Sequence, residues 1–477
     1  MRKFIIILLV AIMNIIALGQ AEQLSSSGDP ADPSPTHRKP NYILIVADDL
    51  GYADLSINGS TQIQTPSIDL LAKRGVYFKE GYVTSAVCSP SRAGLMTGIN
   101  QVEFGYDNNL IEVQPGFDKN YMGLPLSQKT IAERLQELGY VCGLVGKWHL
   151  GKEPQFHPLK RGFDEFWGYT GGGHDYFVSL PDGKGYKCAI ECNYKDPAPI
   201  SYITEDVGNE CVSFIERHQD QPFFLFASFN APHTPLQALE EDLKLYAHIK
   251  DKKRQTYAAM VHRLDVNIGK IVDAIENSGL MDETLIIFIS DNGGPVDHNA
   301  SLNAPYNGQK GILLEGGIHV PFIFCWPNSL PAGIQYQHPV SSLDILPTIL
   351  ESSRQIIEEE DCLDGVNLIP YILDKQKGLP HQELKWRFTI SAAIRQGKWK
   401  LIRLPDRLPL LFDLSADTSE QNNISMKNIE KTEELLNILG NWDVDLPHPV
   451  FMENARWKRR QLGLYDKDYQ LDQPMPE

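Results

Sequence analysis

Tyr42-Ile43-Leu44-Ile45-Val46-Ala47-Asp48-Asp49 is a continuous apolar run that ends abruptly in two carboxylates. Such a run leaves no face for solvent, so it belongs in the middle of a parallel sheet covered by helices on both sides. A second run, Leu285-Ile286-Ile287-Phe288-Ile289-Ser290, ends in Asp291-Asn292-Gly293-Gly294. Val141 to Val145 and Phe223 to Phe229 read as further strands, separated by helical patterns such as Thr130 to Leu138 and Tyr257 to Ile275. The alternation predicts an α/β domain: a large, mostly parallel or mixed sheet sandwiched by helices.

Beyond this domain the pattern changes. Trp386 to Ile394, a Gln396-Gly397 turn, Trp399 to Leu404 and Leu410 to Leu414 read as short antiparallel strands, followed by a helix near Ile429 to Leu439. The expected organisation is a main α/β domain over residues 40–374 and a smaller C-terminal α+β subdomain over 375–477. Ahead of them, Met1-Arg2-Lys3, the apolar stretch Phe4 to Leu18 and small residues to Ala21 have the layout of a secretory signal peptide, residues 1–21. Residues 22–39, rich in Ser, Pro, Asp and Gly, read as a flexible leader. Export to the periplasm or medium is the expectation, with no membrane anchor once the signal is cleaved.

The 477 residues carry a formal net charge of −17, which argues against nucleic acid as a partner because phosphate binding needs a basic surface. An anionic substrate then requires a locally positive pocket. Seven cysteines, an odd number in an exported chain, leave at least one thiol unpaired or reactive. Cys88 is the candidate; Cys188 and Cys192 are compatible with either a local disulfide or two thiols.

Asp48, Asp49, Asp291 and Asn292 all stand at the carboxyl ends of predicted strands, where open α/β sheets bind ligands. Three carboxylates and an amide form a hard-oxygen set that suits Ca²⁺, or less well Mg²⁺, rather than zinc. Taken singly, Asp48-Asp49 could equally cap a helix and Asp291-Asn292 make a turn; two such motifs, each closing an apolar strand, favour the metal.

Cys88-Ser89-Pro90-Ser91-Arg92-Ala93-Gly94-Leu95-Met96-Thr97-Gly98 resembles the signature of the formylglycine-dependent type I sulfatases, Cys-x-Pro-Ser-Arg followed by Leu-x-Thr-Gly. Further blocks follow in that family's order: Gly146-Lys147-Trp148-His149-Leu150-Gly151, Ala231-Pro232-His233-Thr234-Pro235, Lys310-Gly311 with Glu315-Gly316-Gly317, and Leu411-Phe412-Asp413-Leu414. His319 departs from the pattern, where many members carry Arg, at a position outside the family's catalytic set.

The resemblance implies an alkaline-phosphatase-like fold and hydrolysis of sulfate esters. Cys88 would be oxidised to formylglycine (3-oxoalanine) by a formylglycine-generating or sulfatase-maturing enzyme, and one hydroxyl of the aldehyde hydrate would attack sulfur to give a covalent sulfo-enzyme. Asp48, Asp49, Asp291, Asn292 and matured Cys88 would hold one Ca²⁺. Arg92, Lys147 and Lys310 would supply fixed positive charge, His233 would protonate the leaving alcohol, and His149 would take the proton that lets sulfate depart. The general look is of carbohydrate sulfatases, which points to a sulfated polysaccharide or its oligosaccharides: an algal galactan such as carrageenan, or ulvan, or a glycosaminoglycan-like chain. His174 and Asp175, in Gly171 to Tyr176, are candidates for binding sugar hydroxyls, and Asn108-Asn109 and His298-Asn299 are other loop candidates. The alternative within the superfamily is a phosphonate monoester or phosphodiester hydrolase.

Overall fold

The computed structural model describes residues 38–110, 118–177, 190–196, 199–358 and 361–468. The signal peptide, nearly all of the leader and Cys188 fall outside the described residues.

In chain order the strands are β1 (Asn41–Ala47), β2 (Val76–Phe78), β3 (Gly81–Tyr82), β4 (Val141–Lys147), β5 (Glu165–Tyr169), β6 (Glu191–Cys192), β7 (Phe223–Ser228), β8 (Thr284–Ser290), β9 (Phe322–Cys325), β10 (Ile334–Tyr336) and β11 (Val340–Ser341). Among the described residues, nine of them form one sheet in the order β10-β2-β9-β8-β1-β7-β4-β5-β6, and β3 pairs with β11. The inner five, β8-β1-β7-β4-β5, run parallel. β9 lies antiparallel to both β8 and β2, and β6 to β5. The sheet is therefore the mixed, mostly parallel one that the apolar runs predict.

Side chains alternate across a strand, so each central strand feeds two cores. Tyr42, Leu44 and Val46 of β1 join Leu285, Ile287 and Ile289 of β8 on one face, under the helices Cys88–Thr97, Ile131–Glu137 and Ile345–Ser352. Ile43, Ile45 and Ala47 join Leu225 and Phe288 on the other, under Pro66–Arg74, Ile203–His218 and Lys252–Asn277. Each fully buried Leu, Ile or Phe contributes roughly 1.5–3 kcal/mol, which is why this doubly covered sheet is rigid enough to carry a site on its rim.

Register sets the level of that rim. Ala47 pairs with Ser290, Val46 with Ser228, and Gly146 with Ser228. Asp48, Asp291, Lys147 and the chain after Ser228 thus leave the sheet side by side at its carboxyl edge.

After residue 375 come β12 (Glu383–Phe388), β13 (Ser391–Gln396), β14 (Trp399–Arg403) and β15 (Leu410–Asp413), an antiparallel meander, and the helix Ile429–Asp445. The single strand expected over Trp386 to Ile394 is in fact two: Phe388 pairs with Ser391 across a tight turn, with Thr389 at φ 51°. Apolar residues on both sides of that turn, without Gly or Pro, conceal it in the sequence. One sheet face packs Ala392, Ile394, Leu401 and Leu411 on Leu435 and Leu439 of the helix, and the other gives Trp386, Phe388, Ile402 and Phe412 to the main core. Residues Pro40–Glu477 form one compact unit.

Candidate active site

The helix Cys88–Thr97 begins with Cys88 as its first residue, and Arg92 follows at i+4, so both side chains lie on one face a turn apart. Gly98, left-handed at φ 67°, closes the helix with its N–H on Gly94 O, and an added Cβ would come within 2.9 Å of Leu346. The signature therefore couples Cys88 and Arg92 to a helix stop that favours glycine.

Asp48 and Asp49 follow β1 directly. Asp49 adopts φ 66°, a left-handed conformation that costs a non-glycine residue on the order of 1 kcal/mol. Its backbone is held there by Asp49 N donating to Asp291 Oδ1 (3.3 Å) and Asn299 Nδ2 donating to Asp49 O (3.1 Å). From β4 comes Lys147, then His149 at φ 60°. The loop after β7 brings His233, and the segment leading to Glu315 brings Lys310.

These groups converge. Lys147 Nζ lies 2.6 Å from Asp48 Oδ2, and Lys310 Nζ lies 2.6 Å from Asp49 Oδ1 and 3.0 Å from Cys88 Sγ. Cys88 Sγ lies 3.5 Å from Asp48 Oδ1 and 3.9 Å from Asp49 Oδ1, and His233 Nε2 is 3.6 Å from Asp49 Oδ2. Arg92 Nε donates to Asp291 Oδ2 at 2.8 Å. Three carboxylates thus face three fixed cations around Cys88, all within the fold's interior.

Ligand atoms of Asp48, Asp49, Cys88 and His233 lie within 4.8 Å of one another, a group able to hold a metal ion. His233 was not among the metal ligands expected from the sequence. Asn292 donates its Nδ2 to Asp49 Oδ1 (2.7 Å), while its buried Oδ1 has no partner. An orphaned amide oxygen beside clustered carboxylates fits a hard divalent cation, since a buried carbonyl oxygen otherwise forfeits its hydration. Asp291 has both oxygens occupied, one by Asp49 N and one by Arg92.

The electrostatics follow from burial. Desolvation pushes the Cys88 thiol far above its ordinary range, against the pull of Lys147 and Lys310, so the unmodified thiol is a poor nucleophile. Burial, followed by Lys147 and Arg92, holds His149 well below the usual imidazole value. Burial brings His233 down to about 3, with Asp49 opposing and Lys310 reinforcing the shift. For Asp49 burial acts upward, but Lys310 and then His233 outweigh it and take the carboxyl to about 2. Burial and the neighbouring Asp48 raise Asp291.

Supporting residues complete the site: Ser228 and Tyr106 escape a reading of sequence alone, while Asn109 and Gly172 lie in segments already marked as loop candidates. Ser228 Oγ accepts from Arg92 Nη1 (2.6 Å) and donates to Lys147 O (2.6 Å), tying two of the cations together. Ser89 Oγ donates to His149 O (2.8 Å), Tyr106 OH lies 2.7 Å from Ser89 Oγ, and Asn109 Oδ1 accepts from Ser89 N (3.0 Å). A Cβ on Gly172 would lie 2.6 Å from His149 Nε2. The sugar-binding candidates are buried: His174 Nδ1 contacts Asp175 O at 2.7 Å, and Gln237 Nε2 donates to Asp175 Oδ1 at 3.5 Å. His319 stacks on Tyr306 at 4.1 Å and pairs with Glu315.

The sulfatase family model matches residues 40–353. The N-acetylgalactosamine-6-sulfatase of Canis lupus familiaris is 31% identical over 371 residues, 74% of this chain and 69% of that protein. Arylsulfatase D of Homo sapiens is 31% identical over 494 residues, 80% of this chain and 82% of that protein. Among solved structures, Ps i-CgsB superposes with a TM-score of 0.80 at 38% identity, covering 91% of this chain and all (100%) of its own. The same protein has been solved in complex with k-i-k-neocarrahexaose.

Proposed function

Because the chain belongs to the sulfatase family and is a sulfuric ester hydrolase, we propose that it removes sulfate from oligosaccharides of a carrageenan-type galactan. The observation that carries this reading is the likeness, at 38% identity over 91% of the chain, to a protein solved with a neocarrahexaose bound.

In this reading Cys88 matures to formylglycine, which supplies a hydrated aldehyde as nucleophile. Asp48, Asp49, Asp291 and Asn292 hold a divalent cation with residue 88, and Ca²⁺ suits these oxygen donors better than Mg²⁺. When bound, such a cation would supply positive charge against the anionic ester.

The chain's own residues do the rest. Arg92, fixed by Asp291 and Ser228, keeps its Nη2 without a partner and steadies an anionic oxygen at position 88. Lys147 and Lys310 offset the sulfuryl charge. His233 gives a proton to the leaving alcohol; the anionic ester opposes the burial, and behind it the Lys310 and Lys147 charges, that hold its proton affinity down in the free protein. His149 accepts the proton whose loss releases sulfate, and its buried Nδ1 has no partner of its own. His174 and Asp175 are the residues assigned in this reading to the sugar hydroxyls.

Cys88 is almost wholly buried, so the maturing enzyme must reach it before folding is complete. Residues 1–21 direct export to the periplasm or medium, residues 22–39 form the leader, and the catalytic domain and subdomain meet near residue 375. No helix among the described residues is long and apolar enough to cross a membrane.

The test is sulfate release by matured protein from a panel of carrageenan, ulvan and glycosaminoglycan oligosaccharides, aryl sulfates and aryl phosphonates. Release from the carrageenan oligosaccharides is expected. Release confined to N-acetylgalactosamine sulfates would move the substrate to glycosaminoglycans, and turnover of phosphonates alone would overturn the reading.

A further inference from the structure

Two runs of basic residues interrupt this acidic chain: Lys250, Lys252, Lys253 and Arg254 before and within the start of one helix, and Arg456, Lys458, Arg459 and Arg460 along another, Ala455–Gly463. They are about 200 residues apart in sequence and meet in the fold. Arg460 Nη2 pairs with Asp297 Oδ2 at 2.5 Å, and Lys253 Nζ donates to Asp297 O at 2.6 Å.

The meeting point adjoins the reaction centre. The inner face of the Ala455–Gly463 helix rests on the residue after Lys310: Trp457 would touch a Cβ on Gly311 at 3.1 Å, and Gln461 Nε2 donates to Gly311 O at 3.2 Å. Tyr465 OH accepts from Leu313 N at 2.7 Å. With Trp457 and Gln461 turned inward, the helical repeat sets Arg456 and Arg460 on one flank, Lys458 on the other and Arg459 outward. His298, partly shielded from water, lies among these charges; that shielding and the fields of Arg460, Lys253 and Lys310 lower its proton affinity, against Asp297.

Asp297 neutralises Arg460, but among the described residues nothing pairs with the side chains of Arg456, Lys458 or Arg459. In a chain of net charge −17 such a local surplus opposes the overall field. A polymer bearing sulfate on successive sugars presents several anions at once, and a row of guanidinium groups, which pair with oxyanions in a bidentate way, matches it.

We propose that the Ala455–Gly463 helix, with Lys253 across Asp297, is an anion-binding wall beside Lys310 that grips sulfate groups on the sugars flanking the one being hydrolysed. The proposal rests on the carbohydrate-sulfate reading above and extends it: the preferred substrate is a polysulfated oligosaccharide, engaged through more than one sulfate.

The test compares the intact chain with R456Q/K458Q/R459Q, three surface changes outside the reacting groups. Binding of a polysulfated carrageenan hexasaccharide to each protein in a Cys88→Ala background is measured by calorimetry at low and high salt, and turnover of 4-nitrophenyl sulfate is measured in the matured enzymes. Three exposed contacts of ordinary strength multiply to about a tenfold loss of hexasaccharide affinity at low salt, and a flatter salt dependence, with 4-nitrophenyl sulfate turnover unchanged. Unchanged affinity and salt dependence, or an equal loss on the aryl sulfate, would overturn the proposal. If the hexasaccharide binds through the helix but matured enzyme releases no sulfate from it, the wall stands and the carrageenan reading falls; if it does not bind at all, both fall.

Discussion

Ser228 Oγ accepts a hydrogen bond from Arg92 Nη1 at 2.6 Å and passes its own proton to the carbonyl of Lys147. One hydroxyl at the end of β7 thereby sets the relative position of two cations that reach the site from a helix and from β4. Ser228→Ala removes the shorter of two acceptors of Arg92 Nη1 and leaves only Lys147 O at 3.3 Å, a loss of about 1–3 kcal/mol. Most of the effect should fall on kcat, at about tenfold or more, with KM little changed. Steady-state kinetics of the matured variant check this; a pure KM effect would contradict the positioning role.

Gly172 is pressed against the ring of His149. Gly172→Ala brings a methyl group to 2.6 Å of Nε2, so the imidazole must move. Catalytic groups tolerate little displacement, and a loss of about 100-fold in kcat is expected. Thermal unfolding should shift only slightly, because the ring's Nδ1 has no partner to lose. Wild-type kcat in this variant would show that His149 does not need its present place.

Removal of divalent cations should lower stability as well as activity. The carboxylates of Asp48, Asp49 and Asp291 repel one another across the site, and a bound cation stabilises the native state by about 2.7 kcal/mol at a hundredfold excess over its dissociation constant. Unfolding followed with chelator, Ca²⁺ or Mg²⁺ should give its highest midpoint with Ca²⁺. A midpoint indifferent to all three would contradict the assigned ligands.

Glu453 gives a pH-dependent prediction away from the reacting groups. Burial raises its carboxyl to about 7, and a backbone contact from Asn109 N at 3.4 Å does little to oppose this. A carboxyl whose folded value exceeds its unfolded value contributes stability that is fully present below about pH 4 and is lost as pH rises through about 7. Glu453→Gln should therefore raise the unfolding free energy at pH 8 by roughly 3 kcal/mol at most, seen as a higher midpoint, and have little effect at pH 4. A midpoint unchanged at pH 8 would contradict the assignment.

The parts of this fold that were legible in sequence are those where one physical demand dominates. β1 and β8 announce themselves because burial on both faces permits only apolar residues, and Asp48, Asp49, Asp291 and Asn292 stand out against them. Cys88 and Arg92 stood out through the signature they belong to, and the structure sets them one helical turn apart. The turn at Thr389 stayed hidden because no residue type marks it. Ser228 was equally silent, and the candidate loop Gly171 to Tyr176 gave no sign of Gly172's role: a serine ending a strand and a glycine in a glycine-rich loop are common, and only their neighbours 136 and 23 positions away give them meaning. The inclusion of His233 in the metal-binding group likewise depends on a loop path that spacing alone does not fix.

The central claim is that position 88, once oxidised, carries the reaction. The most direct measurement prepares the protein with graded amounts of a formylglycine-generating enzyme, determines the aldehyde fraction at Cys88 by peptide mass, and records sulfate release for each preparation. The account predicts turnover proportional to the aldehyde fraction, reaching zero for unconverted protein and for Cys88→Ala. Sulfate release that persists in unconverted or Cys88→Ala protein would contradict it.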